Sequence, residues 1–135
     1  MTVRDYALER ASLLLRRLAF QMHRTARLRD AESIHDLRVS IRRFQQCLVV
    51  FAQFFPHGQA KKIRGRLHQI MQIAGEIRNR DIALELLQKS GLPADADIEG
   101  TWREEARQLH GELLRLLGRF GRRDLSRRWG GRLGL

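Results

Sequence analysis

Apolar residues recur three and four positions apart through most of this chain, which is the spacing of one buried face of an α-helix. No stretch sustains the strict alternation of apolar and polar residues that is typical of a β-strand. Prolines, which end helices, occur only at Pro56 and Pro93. The pattern therefore predicts an all-α protein, specifically an antiparallel bundle of four main helices.

The first two predicted helices have recognisable start signals. Helix one covers about residues 3–27, and Thr2 with Asp5 is the residue pair expected of a capping box at its beginning. The second helix begins at a cap, which is either Asp30 or Ser33, and ends before the break at Pro56.

The apolar pattern in the second half of the chain predicts two more helices and a tail. The third helix runs from about residue 59 to 77, and its pattern continues, with or without a kink, towards Gly91. A loop is predicted over residues 92–100, and a last helix over about 98–120. Residues 121–135 mix arginines with four glycines and are expected to form an irregular, basic C-terminal tail beyond a single domain of residues 1–120.

The charge of the chain points to an anionic partner. The formal net charge is +11, and arginine supplies nearly all of it, since Lys61, Lys62 and Lys89 are the only lysines. Residues 91–118 are net acidic at −3, whereas residues 1–30, 31–90 and 119–135 carry +4, +5 and +5. This split suggests that one side of the bundle faces the ligand and that the fourth helix faces away or screens the others.

Cys47 is the only cysteine, so a single chain has neither a disulfide nor a cysteine metal site, and we expect a buried, unreactive thiol. Charged residues stand near the N-terminus instead of an apolar leader, and the longest apolar run, residues 47–52, is too short to cross a bilayer. We therefore expect a cytoplasmic protein.

One short stretch, residues 35–43, combines a histidine with three arginines. At 100° per residue, His35, Arg38 and Arg42 project within roughly 60° of one another, while Leu37 and Ile41 lie on a neighbouring apolar face. This helix therefore has a core side and a cationic side. Like charges held together on a rigid scaffold repel one another, which favours a site for an anion.

Two motifs resemble the signatures of the CHAD family, the conserved-histidine α-helical domain whose members bind inorganic polyphosphate. They are His35-x-x-Arg38-Val39-x-x-Arg42-Arg43 and Gly75-x-x-Arg78-Asn79-x-Asp81-Ile82. The similarity covers roughly residues 31–87. Asn79 stands where the family has aspartate, and His68 where it often has lysine or arginine. The chain has about half the length of a usual two-bundle member, which implies either a truncated form or a homodimer that rebuilds the pseudo-symmetric whole.

The charged residues and the resemblance together predict a polyphosphate-binding groove, lined by the second and third helices, without catalysis, cofactor or metal. Arg38, Arg42 and Arg43 are interpreted as direct phosphate contacts, and His35 as a donor to phosphate oxygen. The patch is widened by Lys61, Lys62, Arg64, His68 and Arg78. A second wall is predicted from Arg17, Arg24 and Arg27. For each of these cations the alternative is an ordinary solvated charge.

Asp81 falls on or near the apolar stripe of the third helix. A carboxylate there needs a charged or hydrogen-bonded partner, and an arginine of the 35–43 stretch is the natural candidate. We therefore interpret Asp81 as structural support for a basic side chain.

If the family resemblance holds, association with polyphosphate granules follows as an expectation for the cytoplasmic protein.

Two other functions are compatible with parts of the pattern. A sequence-nonspecific DNA- or RNA-binding protein could use the same basic face, although single-stranded nucleic acid favours aromatic platforms and the aromatic residues here sit mostly at core spacings. His23, the pair His35-Asp36 and Asp81 imitate the order of a metal-dependent HD phosphohydrolase, and Glu32 with His35 imitates half of a di-iron site. Neighbouring arginines oppose a divalent cation at His35.

Tyr6, Leu13 and Phe20 recur every seven residues on a side of the first helix that differs from its main core stripe. Either the bundle wraps this helix on two sides, or the stripe is a subunit interface.

Overall fold

The computed structural model describes residues 1–93, 95–121 and 124–135, and 87% of these described residues are helical. No strand occurs in these ranges, so the predicted all-α class is confirmed. The helices are α1 (Val3–Leu28), α2 (Ala31–Val50), a short 3-10 helix (Ala52–Phe54), α3 (Gln59–Lys89), α4 (Ala96–Phe120) and α5 (Asp124–Leu133).

Side-chain caps define the starts of α1 and α2, and the connection between these two helices is only two residues long. At the start of α1, the Thr2 and Asp5 side chains each accept the other residue's backbone N–H at 3.0 Å, which confirms the capping box. Arg29 ends α1 in the left-handed conformation at φ 56°. Asp30, of the two candidates, caps α2, because its Oδ1 accepts the Ser33 N–H at 2.7 Å.

The third helix is longer than its core stripe suggested. It begins after Gly58, whose φ of 78° suits a glycine at the turn, and continues without a break to Lys89. Asp95 caps α4 by accepting the N–H groups of Asp97 and Ile98, so α4 begins at Ala96. The predicted loop, residues 92–100, is therefore too long, because its residues from 96 onwards are helical. Ala94, within the predicted loop, lies outside the described residues.

The helices pack in a ring around one core. α1 contacts α2 and α4, and α3 likewise contacts α2 and α4, which is the arrangement of a four-helix bundle. Buried apolar side chains from every α-helix form a single cluster, and its largest fully buried members include Trp129, Phe44, Leu15, Leu18 and Ile70.

The expectation of an irregular tail after residue 120 is wrong for Asp124–Leu133, which form α5. Its Leu125, Trp129 and Leu133 are buried, and α5 contacts both α1 and α3, the two helices that α4 also covers. α5 therefore continues the fourth column of the bundle beyond Phe120, where α4 ends. The two glycines of α5 are tolerated because one face of the helix packs in the core. Residues 122 and 123, which also belong to the predicted tail, lie outside the described residues.

The hairpin of α3 and α4 extends past the core. Ile77 is the last buried residue of α3 and Leu113 the first of α4, and no described residue between them is buried. An ion pair between Arg80 Nε and Glu105 Oε2, at 3.2 Å, links the two helices there. We call residues 78–112 the arm.

Candidate functional site

A groove of about 730 Å³ runs between α2 and α3. Its lining residues are Arg42, Gln45, Gln46, Val49, Val50, Lys61, Arg64, Gly65 and His68. Four of the predicted site residues therefore lie together along it. Cations from two different helices share one concave surface, and this surface contains no Phe, Tyr or Trp.

The register of the two helices explains this lining. An eight-residue connection joins α2 to α3, so they run antiparallel, and the Gln45 amide donates to the Arg64 carbonyl at 3.5 Å. On α2, groove residues follow Arg42 at helical spacing. The same face continues back towards the start of α2 through Arg38 and His35, which lie within roughly 60° of Arg42 around the helix. His35 is exposed and Arg38 is partly buried.

Arg38 differs from the other cations because one of its donors is buried and unpaired. Its Nε has no hydrogen-bond partner in the described structure. A buried donor without a partner costs about 1–3 kcal/mol, so the guanidinium of Arg38 is held in this position at an energetic cost.

The remaining predicted contacts do not line the groove. Arg43 and Lys62 each lie roughly 100° around their helix from a groove residue, Arg42 and Lys61 respectively, and both are exposed. Arg78 is exposed at the base of the arm. The structure therefore divides a set of residues that the sequence presented as one patch.

No groove cation forms an ion pair within the described ranges. The one carboxylate within the 35–43 stretch, Asp36, pairs instead with Arg24 of α1, at 2.6 Å between Nη1 and Oδ2. Arg24, one of the three predicted second-wall residues, is thus already engaged with a carboxylate. Arg17 and Arg27 are exposed on α1 and do not line the groove.

The expected pairing of Asp81 with an arginine of α2 is wrong for the described residues. The basic side chains that influence Asp81 are His110 of α4 and Arg78, one turn earlier on α3. Burial is the larger effect and raises the pKa of this carboxyl group above its ordinary value, against the attraction of those two side chains. Asp81 lies just past Ile77, where the core side of α3 loses its cover.

The residues that imitate an enzyme site are dispersed. His23 lines a cavity of about 210 Å³ between α1, α4 and α5, among apolar side chains such as Leu117 and Phe120. Asp36 is engaged with Arg24, and Asp81 lies near His110. In the part of the chain that the structure describes, no three His, Cys, Asp or Glu side chains are grouped as a metal site would require.

Cys47 is buried, as expected, and burial raises the pKa of its thiol. None of the described helices combines the length and apolar character needed to cross a membrane.

Sequence reasoning missed the neutral part of the groove. Gln45, Gln46, Val49 and Val50 were available as a signal, because they follow Arg42 at positions three, four, seven and eight. Gly65 gave no such signal in the sequence, since a single glycine inside a helix does not belong to an apolar or charged pattern. A Cβ built on Gly65 would meet nothing within 4 Å, so the absent side chain leaves the groove open at this point.

These features define a helical-bundle protein with a cationic groove. A family model for the CHAD domain matches residues 11–134, nearly the whole chain. The chain therefore belongs to the CHAD domain family, as its two motifs suggested. CHAD domains are in general associated with polyphosphate binding and are generally binding rather than catalytic domains. Searches of curated proteins and of solved structures found no significant match.

Proposed function

We propose that this protein binds inorganic polyphosphate in the α2–α3 groove and does not turn it over. The observation that carries the proposal is the convergence of Arg42, Lys61 and Arg64 on one concave surface without a carboxylate partner among the described residues. Uncompensated cations held on two packed helices repel one another, and a polyanion removes that repulsion.

The chemistry of the lining favours polyphosphate over single-stranded nucleic acid. Polyphosphate presents only phosphate oxygens, which guanidinium groups bind through paired N–H donors. Single-stranded nucleic acid gains affinity from bases stacked on aromatic side chains, and the groove offers none. The glutamine amides of Gln45 and Gln46 add neutral donors at the same surface.

His35, Arg38, Arg43 and Arg78 are proposed as contacts for a chain that extends beyond the groove. His35 and Arg38 continue the groove face of α2 towards its N-terminus, where free N–H groups also favour an anion. We propose a cytoplasmic location, with association to polyphosphate granules following from the proposed ligand.

The test is a polyphosphate titration of an Arg42→Ala/Arg64→Ala variant. Each lost charge-assisted hydrogen bond costs about 1.5–3 kcal/mol, so the two substitutions together should weaken binding at least about 100-fold. The matched control, Arg4→Ala/Arg103→Ala, removes the same charge from exposed positions outside the groove and should change affinity only slightly. Equal losses in both variants would reject the groove as the site.

A competition experiment separates the ligands. Long-chain polyphosphate, duplex DNA and single-stranded RNA are compared at matched phosphate concentration and fixed salt, because binding to any polyanion weakens as salt rises. Preference for polyphosphate supports the proposal. Preference for a nucleic acid would assign the groove to nonspecific nucleic-acid binding instead.

We further propose that two copies of the chain pair through α1. Tyr6 and Phe20 are 50% and 62% exposed while Leu13 is partly buried, so the bundle covers this second stripe of α1 only in part. Large apolar groups repeated along one helix are typical of a helix–helix interface. Sedimentation equilibrium should show a dimer that Phe20→Glu dissociates, while a monomeric wild type would contradict the pairing.

A further inference from the structure

Several cations lie on the side of α3 that faces away from the α2–α3 groove. Lys62 and Arg66 are roughly 100° and 140° around the helix from Lys61. Gln69 and Ile73 lie on this same side, and both line a second groove, between α3 and α4. Gln72 also lines the second groove and lies only roughly 20° from Lys61, so the two grooves adjoin across the exposed surface of α3 while their α3 cations point to different sides.

The second groove also carries cations from the opposite helix. It encloses about 370 Å³, and its α4 wall includes Arg115 and Arg119, one helical turn apart and exposed. One carboxylate, Glu112, lies in the same wall. None of Lys62, Arg66, Arg115 and Arg119 forms an ion pair within residues 1–93, 95–121 and 124–135.

α5 extends this surface because it continues the column that α4 begins. Its buried face holds Trp129 in the core, so Arg127, Arg128 and Arg132 face solvent. Arg128 Nη2 donates to the Phe120 carbonyl at 2.6 Å, which ties α5 to the end of α4. Arginines thus continue along the outside of the bundle from the second groove onto α5.

We propose that Lys62, Arg66, Arg115 and Arg119, continued by the exposed arginines of α5, form a second polyphosphate-binding face. This inference rests on the proposed function and extends it. A chain too short to pass around α3 would occupy each face separately, whereas a long chain would bind both faces of one molecule at once. The second contact is then intramolecular and raises affinity through a high effective concentration.

Isothermal titration with tripolyphosphate tests the two faces separately, because this ligand is shorter than the about 10–12 Å diameter of a helix. Wild type should bind two per chain. The second-face variant Lys62→Ala/Arg115→Ala/Arg119→Ala should bind one, and so should the groove variant Arg42→Ala/Lys61→Ala/Arg64→Ala. All six positions are exposed, both variants lose three charges, and circular dichroism with thermal melting checks that each still folds.

Long-chain polyphosphate provides the second readout. Each variant should lose at least about tenfold in affinity, as expected when one of two linked contacts is removed. Glu112→Gln, which removes the opposing carboxylate, should strengthen tripolyphosphate binding to the groove variant, where only the second face remains.

The outcomes distinguish this inference from the proposed function. One ligand per wild-type chain, lost in the groove variant and retained in the second-face variant, would overturn the second face and leave the proposed function standing. If the groove variant still binds tripolyphosphate as wild type does and the second-face variant does not, the groove is rejected as a site and the second face is supported. No binding of either polyphosphate to wild type would overturn both.

Discussion

Arg24 Nη1 lies 2.6 Å from Asp36 Oδ2, and this ion pair joins α1 to the motif stretch of α2. Asp36 follows His35 directly and precedes Arg38 by two residues. Because Asp36 turns towards α1, its negative charge is compensated on the side of α2 away from the groove. The pair therefore helps to keep the cationic face free of an internal counterion.

This relationship predicts that Arg24→Ala weakens polyphosphate binding although Arg24 does not line the groove. The substitution leaves Asp36 uncompensated, one residue from His35 and two from Arg38. Its negative charge would repel a bound phosphate chain and should lower affinity a few-fold at low salt. Arg24→Ala/Asp36→Asn should restore binding, as measured by titration. If the double variant stays weak, Arg24 itself contacts the ligand, as the predicted second wall requires.

Gly65 offers a test of the groove that removes no cation. A Cβ at this position meets nothing within 4 Å and residue 65 is exposed, so Gly65→Glu should fold and place a carboxylate beside Lys61 and Arg64. We expect at least about a tenfold loss of polyphosphate affinity from this opposing charge. Gly100→Glu, an equally open helical glycine on the arm, is the control and should leave binding nearly unchanged.

Gly65→Ala should raise the free energy of unfolding. Alanine is favoured over glycine in a helix interior by about 0.5–1 kcal/mol, and the groove has space for a methyl group. Urea denaturation of this variant measures the gain in the free energy of unfolding. A loss would show that a larger residue at 65 disturbs the packing of α2 on α3.

Trp129 tests whether α5 is part of the core. It is 1% exposed and its ring packs edge-to-face on Phe120, with centroids 5.5 Å apart. Trp129→Ala should lower the free energy of unfolding by about 3–5 kcal/mol, as is usual when a large aromatic is removed from a core. Leu135→Ala, at a residue 37% exposed, should change it by less than about 0.5 kcal/mol. Equal, small effects would contradict the packing of α5.

Asp81 should lower stability at neutral pH. Burial raises the pKa of its carboxyl group in the folded state, so the folded protein binds this proton more tightly than the unfolded chain, where the ordinary value is 3.8. Stability therefore falls as pH rises through the raised pKa, and the penalty is fully present above it. Asp81→Asn should be more stable than wild type at pH 7.

The pH dependence provides the control for Asp81. The advantage of Asp81→Asn in urea denaturation should shrink as pH falls through the raised pKa and vanish below the ordinary value of 3.8, where both side chains are neutral. A destabilised Asp81→Asn variant at pH 7 would show instead that attraction to His110 and Arg78 outweighs the cost of burial.

Cys47 should be unreactive in the folded protein. Its side chain is 6% exposed, and burial raises the pKa of the thiol, which lowers the fraction of reactive thiolate. A colorimetric thiol reagent should label it on the timescale of unfolding, and immediately in denaturant. Fast labelling without denaturant would mean that α2 opens locally near Cys47.

Most of the helix boundaries could be predicted because their causes are local. The Thr2–Asp5 capping box, the Asp30 cap and the break near Pro56 each involve residues within a few positions of one another. α5 could not be predicted in this way, because its glycines and arginines are poor helix signals. It is stabilised by packing of Leu125, Trp129 and Leu133 against the end of α4 and against α1 and α3, which are distant from it in the chain.

The amino-acid sequence by itself determined the all-α class, the starts of the first three helices and the stretch that carries the motif cations. Only the tertiary structure decided which cations face one another. Lys61 and Lys62 are adjacent in the chain, yet only Lys61 lines the α2–α3 groove, and Arg24 binds Asp36 rather than contributing to the groove. Helical periodicity places a residue on a face, but the rotation and register of one helix against the next depend on packing between residues distant in the chain.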